Sequence, residues 1–326
     1  MAHSNTSLNT FTNCAKAYEH TYILKTPKDN PDSPHLRIGV IGHEILHDAG
    51  VLRDTYDGEF DDQCELAIPS ELAYPELKEF FGILSWHEYF HEVLLETYEI
   101  ETSLCRLMTE PYEILRERKL SRSVQELQQD GFNGVHTPVV GVIDLLILSK
   151  TSATIVDYKF STKPKTQDNF DMDSQLYIYA YLVHKTYNIP LRNIKIGYID
   201  ICKKQFSPPK YLQNARLSVD KTQFVLPKVY KEAVLKLHGE DPKYNCEPGG
   251  YYYECYMSLQ SNKQARENIQ QLDLEAMKGI VTDFMEAASL VDKLTENHGP
   301  FVKKFDSYSC KNCDYLSHCK PWLNIW

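Results

Sequence analysis

Two apolar, mostly β-branched runs in the middle of the chain constrain its fold more than any other feature. The runs at 139–148 and 153–156 predict two neighbouring buried strands. Asp144 lies within the first run, and Asp157 follows the second, with Lys159 two residues later. Because side chains alternate along a strand, Asp157 and Lys159 are expected on one face. Buried strands rarely carry charge without a partner or a metal ion, so these residues predict a functional site.

The three charged residues predict a reaction class. Two aspartates and a lysine that converge from adjacent strands provide oxygen ligands for a hard divalent cation, with an ammonium group beside it. Such a cation can bind a non-bridging phosphate oxygen and a water, while the ammonium group steadies charge or orients the water. Asp144, Asp157 and Lys159 therefore predict cleavage of a phosphodiester bond.

Four short motifs surround these residues in a fixed order. They are GVIGH at 39–43, GVID at 141–144, DYK at 157–159 and QLYIY at 175–179. The set resembles the motifs G-x-x-x-H, G-x-I-D, D-x-K and Q-x-x-x-Y of the RecB-like branch of the PD-(D/E)XK nuclease superfamily. A D-x-K triplet alone occurs by chance in many chains, whereas the ordered set is specific.

The resemblance implies a metal-dependent DNA nuclease. It implies that His43, Asp144 and Asp157 bind Mg²⁺ or Mn²⁺, with the backbone carbonyl of Tyr158 as a further oxygen ligand. This branch often carries another acidic ligand on the preceding strand. Glu113 and Glu117 are the candidates. Glu117 fits the strand better and is the predicted ligand.

The resemblance also assigns catalytic roles. Lys159 would position or polarise the attacking water. Gln175 and Tyr179 lie one turn apart on a predicted helix, where they could hydrogen-bond the lysine or a phosphate. Helix packing is the alternative role for this pair. The predicted catalytic residues are thus Asp144, Asp157, Lys159, Gln175 and Tyr179.

Four of the nine cysteines fall into a recognisable frame. Cys14 lies near the amino end, and Cys310, Cys313 and Cys319 form a C-x2-C-x5-C at the carboxyl end. Cysteine thiolates hold zinc or iron–sulfur clusters. The resemblance implies a four-cysteine [4Fe-4S] cluster like that of AddB, the CRISPR adaptation nucleases and the exonuclease V family. A structural zinc site and ordinary buried thiols remain open, whereas the other five cysteines show no disulfide spacing.

A competing motif predicts a zinc peptidase. HEILH at 43–47 and HEYFH at 87–91 both fit H-E-x-x-H, which places two imidazoles on one helix face with a glutamate as general base. A third zinc ligand is not evident, and Glu92 or Glu96 would have to serve. A peptidase would also leave the aspartates, the lysine and the cysteines unexplained. His47, His87 and His91 are better interpreted as surface or satisfied core histidines.

Composition limits the cellular context. A net charge of -10 is unusual for a protein that binds a polyanion, so we expect a local basic channel. Its candidate residues are Arg116, Arg118, Lys119, Arg122, Lys159, Lys163 and Lys165, for which a solvated face is the alternative. No apolar stretch is long enough to span a membrane and no signal peptide opens the chain, so we expect an intracellular protein, cytoplasmic or nuclear if eukaryotic or viral. No Walker A motif is present, so a helicase or a recombination or adaptation protein would be a separate partner.

The predicted fold is α/β, with a restriction-endonuclease-like mixed central sheet flanked by helices. We expect strands at 105–108, 113–118, 139–148, 154–159 and 193–203, and helices at 1–30, 36–57, 71–100, 173–187 and 262–297. The 71–100 helix should break near Pro75, and residues 121–137 should form a polar loop. The expected domains are residues 1–35, an N-terminal helix carrying Cys14, a nuclease core at 36–260 with a helical insertion near 70–100, and a long helix with the cysteine tail at 261–326. An iron–sulfur subdomain would join the two ends.

The predicted function is exonucleolytic cleavage of single-stranded DNA ends in repair, recombination or CRISPR-like adaptation. The alternative is a non-catalytic DNA-binding or scaffold subunit of a helicase–nuclease complex. The intact Asp144, Asp157 and Lys159 argue against a decayed site.

Overall fold

Five strands form one mixed sheet in the order β1-β2-β3-β4-β5. In the computed structural model of the protein, β1, β2 and β3 pair antiparallel, β3 and β4 pair parallel, and β5 pairs antiparallel with β4. The strands are β1 Tyr112–Arg122, β2 Val139–Ser149, β3 Ala153–Ser161, β4 Ile194–Cys202 and β5 Ala265–Gln271. The structure describes residues 2–29, 34–55, 59–69, 86–161, 166–167, 173–203, 206–213, 216–302, 310 and 313–319.

Helices cover both faces of the sheet. The helices that we number in chain order are α1 Asn5–Asn13, α2 Ala15–Tyr18, α3 Pro34–Thr55, α4 Phe60–Ala67, α5 Trp86–Arg106, α6 Val124–Gln129, α7 Ser174–Tyr187, α8 Pro227–His238, α9 Tyr253–Leu259, α10 Leu274–Glu296 and α11 Leu316–Cys319. α7 links the parallel strands β3 and β4, as a crossover connection requires. None of the helices in the described part of the chain is long and apolar enough to cross a membrane.

The alternation of side chains along β3 divides the core into two layers. Ala153 and Ile155 pack with α1, α7 and α10 on one face, whereas Val156 and Tyr158 pack with α3, α4 and α5 on the other. A third, smaller core lies in the segment between β4 and β5, around Tyr230 and α8 and α9. The mixed sheet flanked by helices agrees with the predicted restriction-endonuclease-like class.

Several predicted elements differ from the structure. The strand predicted at 105–108 is wrong, because α5 runs to Arg106 and ends in a turn. The single helix predicted at 1–30 is interrupted at Cys14, whose backbone is extended between α1 and α2. The segment 121–137 contains α6, which begins with a capping box formed by Ser123 and Glu126. The break predicted near Pro75 lies outside the described residues.

The helix predicted at 262–297 is wrong over its first third. Ala265–Gln271 is the edge strand β5, and α10 begins at Leu274 after the cap residue Asp273. The Asp273 side chain accepts hydrogen bonds from the backbone of Glu275 at 2.9 Å and of Ala276 at 3.1 Å. β5 is largely polar because it lies at the edge of the sheet, so its sequence lacks the apolar run that marks a buried strand.

Segments near both ends of the chain pack together. Asp29 accepts a hydrogen bond from the backbone of Ser317 at 2.6 Å, and its own N–H donates to the Asp314 carbonyl at 2.6 Å. The ring of His20 stacks on Tyr315 with 5.3 Å between centroids. These contacts bring α11 against the segment that follows α2.

Candidate metal centre

Three carboxylates occupy one row across three adjacent strands. β1 and β2 pair at Arg116 with Leu145 and resume at Arg118 with Ile143, so Glu117 of β1 lies opposite Asp144 of β2. The pairs between β2 and β3 end at Leu145 with Val156, so the next residues in register are Asp144 and Asp157. The sheet register therefore places Glu117, Asp144 and Asp157 side by side.

Glu117 is set apart by its backbone. Its φ is +46°, in the left-handed region that glutamate rarely adopts, and it forms no ladder pair with Asp144. Such strain costs about 1–3 kcal/mol and persists only where the surroundings impose it. The distortion redirects the carboxylate out of the normal alternation of β1. The register and the strain together distinguish Glu117 from Glu113, which lies opposite Leu148.

The strands β2 and β3 separate at the row of carboxylates. Past Val156, β3 keeps its pairing with β4 but loses its pairing with β2. The backbone N–H of Tyr158 instead donates to Asp144 Oδ2 at 2.8 Å. A side-chain carboxylate thus takes the place of a strand carbonyl, and the space between the strands becomes the site.

His43 of α3 completes a compact group of ligand atoms. His43 Nδ1 lies 3.4 Å from Asp144 Oδ2. One atom each of His43, Glu117 and Asp144 lies within 4.8 Å of the other two, the only such group of three or more His, Cys, Asp or Glu ligand atoms among the described residues. One nitrogen and two carboxylate oxygens suit a divalent cation such as Mg²⁺ or Mn²⁺.

The electrostatics of this group favour a bound cation. Burial raises the pKa of Asp144 well above its usual value, and the charges of Asp157 and Glu117 raise it further. Burial lowers the pKa of His43 to about 4, and the ammonium groups of Lys159 and Lys203 act in the same direction. His43 is therefore neutral at pH 7, with a ring nitrogen able to bind a metal. A cation would relieve the repulsion that raises the pKa of Asp144.

Asp157 belongs to a second hydrogen-bonded set, which connects β3 to α7. Lys159 Nζ lies 2.5 Å from Asp157 Oδ2 and donates to Gln175 Oε1 at 3.0 Å. Gln175 Nε2 donates to Asp157 Oδ1 at 2.7 Å and to the Tyr179 hydroxyl oxygen at 2.8 Å. Burial lowers the pKa of Lys159 but Asp157 outweighs it, so the net shift is upward and the lysine is protonated.

The structure thus brings all the residues predicted for the nuclease site to one place, in two groups. Glu117 and His43 surround Asp144, whereas Lys159, Gln175 and Tyr179 surround Asp157. Asp157 is 2% exposed and lies outside the compact group of ligand atoms. The backbone of Tyr158 lies between the groups and forms a hydrogen bond that raises the pKa of His43.

Gly141 allows the second group to form. A Cβ at Gly141 would lie 2.8 Å from Tyr179 Cε1 and 3.0 Å from Leu182 Cδ1, both on α7. Tyr179 is 6% exposed and Leu182 is fully buried, so neither side chain can move cheaply. The glycine of the GVID motif therefore sets how closely α7, which carries Gln175, approaches β2.

We expect Gly141→Ala to destabilise the protein by about 1–3 kcal/mol through overpacking and to lower any activity that depends on Gln175. Gly279→Ala on α10 is the matched control, because nothing lies within 4 Å of its added Cβ. That control should be neutral or stabilising by up to about 1 kcal/mol, as helix propensity predicts. Urea denaturation of both variants measures the difference. Equal stability of the two variants would contradict the packing role of Gly141.

A cleft of about 700 Å³ gives access to the first group. Its lining includes Gly39, Val40, His43, Glu44, His47, Asp48, Glu117, Asp144, Tyr158, Lys159, Phe160 and Lys203. Three side chains of the HEILH motif thus line the same cleft as the other two candidate metal ligands, Glu117 and Asp144. The predicted third peptidase ligands lie elsewhere: Glu96 accepts a hydrogen bond from the Ala265 backbone at 2.6 Å, and Glu92 pairs with Lys228.

A buried ionic cluster behind the site gives no signal in the sequence. Glu101 of α5 is 4% exposed and accepts hydrogen bonds from the Tyr158 hydroxyl, Arg53 of α3 and Arg116 of β1. Arg116 Nη2 lies 2.7 Å from Glu101 Oε2. The cluster links the elements that carry His43, Glu117 and Asp157. Its members are far apart in the sequence, so only the tertiary structure reveals them.

The three arginines predicted to line a DNA channel form ion pairs or hydrogen bonds within the protein. Arg116 is held by Glu101, and Arg122 donates to Asp130 at 2.7 Å and to Glu126 at 2.9 Å. Arg118 donates to the Tyr187 hydroxyl at 3.0 Å. Lys163 and Lys165 lie outside the described residues.

The four cysteines predicted to bind the cluster are close enough for three of them to influence the pKa of the fourth, Cys313. Burial raises the pKa of Cys313, and the charges of Cys319, Cys14 and Cys310 raise it further, while a hydrogen bond from the Tyr315 backbone lowers it. All four are half-buried. No three of the four sulfurs, each within the described residues, lie within 4.8 Å of one another.

Comparisons with solved structures gave distant likenesses. A crystal structure of a protein from Eubacterium rectale, described as a candidate exonuclease, has 10% sequence identity and a TM-score of 0.47 over 97% of this chain and 87% of that one. The crystal structure of SSO0001 has 11% identity and a TM-score of 0.26 over 86% of this chain and 84% of that one. No curated protein gave a significant match.

The sequence profile of the PD-(D/E)XK nuclease superfamily matches residues 2–320, nearly the whole chain. The match includes the strands, the cleft and all the residues of both groups. The chain belongs to the PD-(D/E)XK nuclease superfamily.

Proposed function

We propose that the protein is a divalent-metal-dependent deoxyribonuclease that degrades single-stranded DNA from its ends. The observation that carries this proposal is the compact group of His43, Glu117 and Asp144, which faces the same cleft as the protonated Lys159. Carboxylates and a lysine around one cleft can hold a metal ion and a phosphate together.

His43, Glu117 and Asp144 would hold the metal, with Asp157 and the Tyr158 backbone close behind them. A bound Mg²⁺ or Mn²⁺ would supply charge stabilisation and lower the pKa of a water. Glu117 and Asp144 provide the hard oxygen ligands, and the neutral His43 adds a nitrogen that Mn²⁺ accepts more readily than Mg²⁺. We therefore expect Mn²⁺ to bind more tightly than Mg²⁺.

The chain's own residues position the lysine. Asp157 and Gln175 hold the Lys159 ammonium group by contacts of 2.5 and 3.0 Å, so it reaches the cleft already oriented and charged. An oriented ammonium can donate a hydrogen bond to a phosphate oxygen or to the attacking water without reorganisation. Tyr179 fixes Gln175 in turn, through the 2.8 Å bond to its hydroxyl.

A direct test uses oligonucleotides labelled at the 5′ or the 3′ end, single- or double-stranded, linear or circular. The wild-type protein should shorten linear single strands with Mn²⁺ or Mg²⁺ and should be inactive with EDTA. Cleavage of circular single strands would identify an endonuclease instead. No cleavage of any DNA with either metal would leave the alternative, a DNA-binding or scaffold subunit.

The His43 ligand role separates a nuclease from a zinc peptidase. We expect His43→Ala to lower DNA cleavage by about 10-fold or more, since a lost metal ligand weakens the metal complex. Glu44→Gln and His47→Ala should have mild effects, although both side chains line the same cleft. A peptidase requires the opposite ranking, with Glu44 indispensable. Cleavage rates and Mn²⁺ affinities of the three variants provide the measurement.

We also propose that Cys14, Cys310, Cys313 and Cys319 bind a [4Fe-4S] cluster. Cys14, Cys310 and Cys319 raise the pKa of Cys313, which indicates that the four thiols lie near one another, as ligands of a shared cationic centre would. A single zinc ion would hold its sulfur ligands within roughly 4 Å of one another. In an iron–sulfur cluster each sulfur binds a different iron, so the four thiols need not reach that spacing.

Contacts near the two ends of the chain support a structural role for such a cluster. The Tyr315 backbone N–H donates to Cys313 Sγ at 3.5 Å, the kind of bond that stabilises a thiolate ligand. Tyr18 stacks on Phe301 at 5.9 Å between centroids, and Asp29 binds Ser317. The cluster would thus join residues 1–35 to the tail of residues 261–326 over the nuclease core.

Serine in place of any of the four cysteines should abolish the brown colour of anaerobically purified protein. We also expect a loss of stability of up to about 4–5 kcal/mol, by analogy with a disulfide that closes a very long loop. The half-buried Cys202 gives the control, because Cys202→Ser should keep the colour. Absorption spectra and iron analysis measure the loss of the cluster, and thermal melts measure the loss of stability. One zinc and no iron would refute the cluster and leave the nuclease proposal untouched.

The proposed setting is DNA repair, recombination or CRISPR-like adaptation inside the cell. Single-stranded ends arise in each of these pathways when a helicase or a recombination protein opens the duplex, so such a protein is the proposed partner. Co-purification with a tagged copy of this chain would identify it.

A further inference from the structure

The cleft is lined by groups of opposite charge that come from different elements. α3, β1 and β2 supply the carboxylates of Glu44, Asp48, Glu117 and Asp144, whereas the ammonium groups come from Lys159 and Lys203. Neither the motifs nor the family assignment gives Lys203 a role.

The backbone fixes Lys203 beside the catalytic strand. Lys203 follows β4 directly, and its N–H donates to the Ser161 carbonyl at the end of β3 at 2.8 Å. β3 and β4 are parallel, so both lysines emerge at the carboxyl ends of neighbouring strands. This edge of a parallel pair is where ligands bind in open α/β sheets.

The Lys203 side chain is directed to the helix that carries His43. Its Nζ lies 3.8 Å from the position that a Cβ of Gly39 would occupy, one helical turn before His43. A larger side chain at this position would fill the space next to the ammonium group. The ammonium charge of Lys203 reaches the candidate metal centre, because it lowers the pKa of His43.

The two lysines differ in their surroundings. Lys159 is oriented by Asp157 and Gln175 and so is positioned for the reacting group. Lys203 is half-buried, and this burial lowers its pKa, so its charge is only partly solvated. A partly desolvated ammonium at the wall of an open cleft is a good binding group for a phosphate.

We propose that Lys203 binds a phosphate of the DNA strand next to the one that is cleaved, and so sets the affinity for the substrate. The proposal rests on the nuclease function proposed above. Because the contact is made equally before and during the reaction, it should affect KM and leave kcat unchanged.

Lys203→Met tests the proposal, since it removes the charge and keeps the apolar stem. We expect KM and the Kd for single-stranded DNA to rise about tenfold, the effect of losing one charged hydrogen bond. The slope of log Kd against log salt concentration should decrease by about 0.7, for one phosphate contact. Lys203→Arg should restore most of the affinity, because it restores the charge.

Lys195→Met is the matched control. Lys195 lies on the same strand β4, is exposed, and is close to the opposite end of that strand, paired with Thr154. This variant should bind and cleave like the wild type. Thermal melts of both variants confirm that they are folded.

Binding is measured by fluorescence anisotropy in EDTA and in Ca²⁺, separately from cleavage in Mn²⁺. A wild type that binds DNA without cleaving it would refute the nuclease proposal, while the Kd of Lys203→Met would still decide the role of Lys203. If Lys203→Met kept the Kd and the salt slope of the wild type, the role of Lys203 would be refuted and the nuclease proposal would stand. A fall in kcat with unchanged KM would also overturn it.

Discussion

Asp144→Asn is expected to lower DNA cleavage by about 10²-fold or more, on the scale of losing one electrostatic stabiliser of the transition state. Asp144 contributes to the compact ligand group and lies 3.4 Å from His43 Nδ1. The asparagine oxygen can still accept the hydrogen bond from the Tyr158 backbone, so the loss would come from the metal site. Asp157→Asn and Lys159→Met should cause losses of similar size, because Asp157 holds the lysine and the lysine supplies the charge.

Asp144→Asn should leave the metal-free protein as stable as the wild type or more stable. Burial and the charges of Asp157 and Glu117 raise the pKa of Asp144, so a neutral side chain removes an unfavourable charge. Single-turnover cleavage and urea denaturation in EDTA provide the two measurements. Full activity of Asp144→Asn would refute the metal role, and a large loss of stability would refute the repulsion.

Glu101→Gln is the same chemical change at another buried carboxylate and should have the opposite effect on stability. Glu101 accepts hydrogen bonds from Arg53, Arg116 and the Tyr158 hydroxyl, and the Arg116 side chain is only 4% exposed. Burial raises the pKa of Glu101 as it does that of Asp144, but the charge of Arg53 and the Tyr158 hydrogen bond act in the opposite direction. Neutralising Glu101 leaves two guanidinium groups beside an uncharged amide. We expect a loss of about 3–5 kcal/mol, as measured when one partner of a buried ion pair is removed.

Urea denaturation in EDTA compares Glu101→Gln with Asp144→Asn under identical conditions. Tyr158→Phe removes only one of the hydrogen bonds to Glu101 and should cost about 1 kcal/mol. If Glu101→Gln were as stable as the wild type, the cluster would not contribute to the fold, and the contrast between the two carboxylates would fail.

The sequence predicted the strands that carry the site because their composition is distinctive. β2 and β3 are rich in β-branched residues and buried on both faces, so they read as continuous apolar runs. The sequence does not reveal β5, because an edge strand needs no such run. It predicts a strand at 105–108 where a helix ends, because a short apolar run fits a helix end as well as a strand.

Local motifs located the residues of the site, but not the connections between them. The choice of Glu117 over Glu113 came from strand fit, whereas the pairing with Asp144 and the φ of +46° depend on sheet register. Lys203 and Glu101 lie outside every motif. Each gains its position from contacts between elements that are distant in the sequence, so no local pattern could have indicated it.

The bond between the Tyr158 N–H and Asp144 makes one backbone amide a reporter of the candidate metal centre. The chemical shift of an amide proton depends on the charge of the atom that accepts it. Protonation of Asp144, or a cation on its carboxylate, would therefore shift a single resonance in a protein labelled with ¹⁵N-tyrosine. That resonance can be followed without DNA and without turnover, so the occupancy of the site becomes measurable in the resting protein.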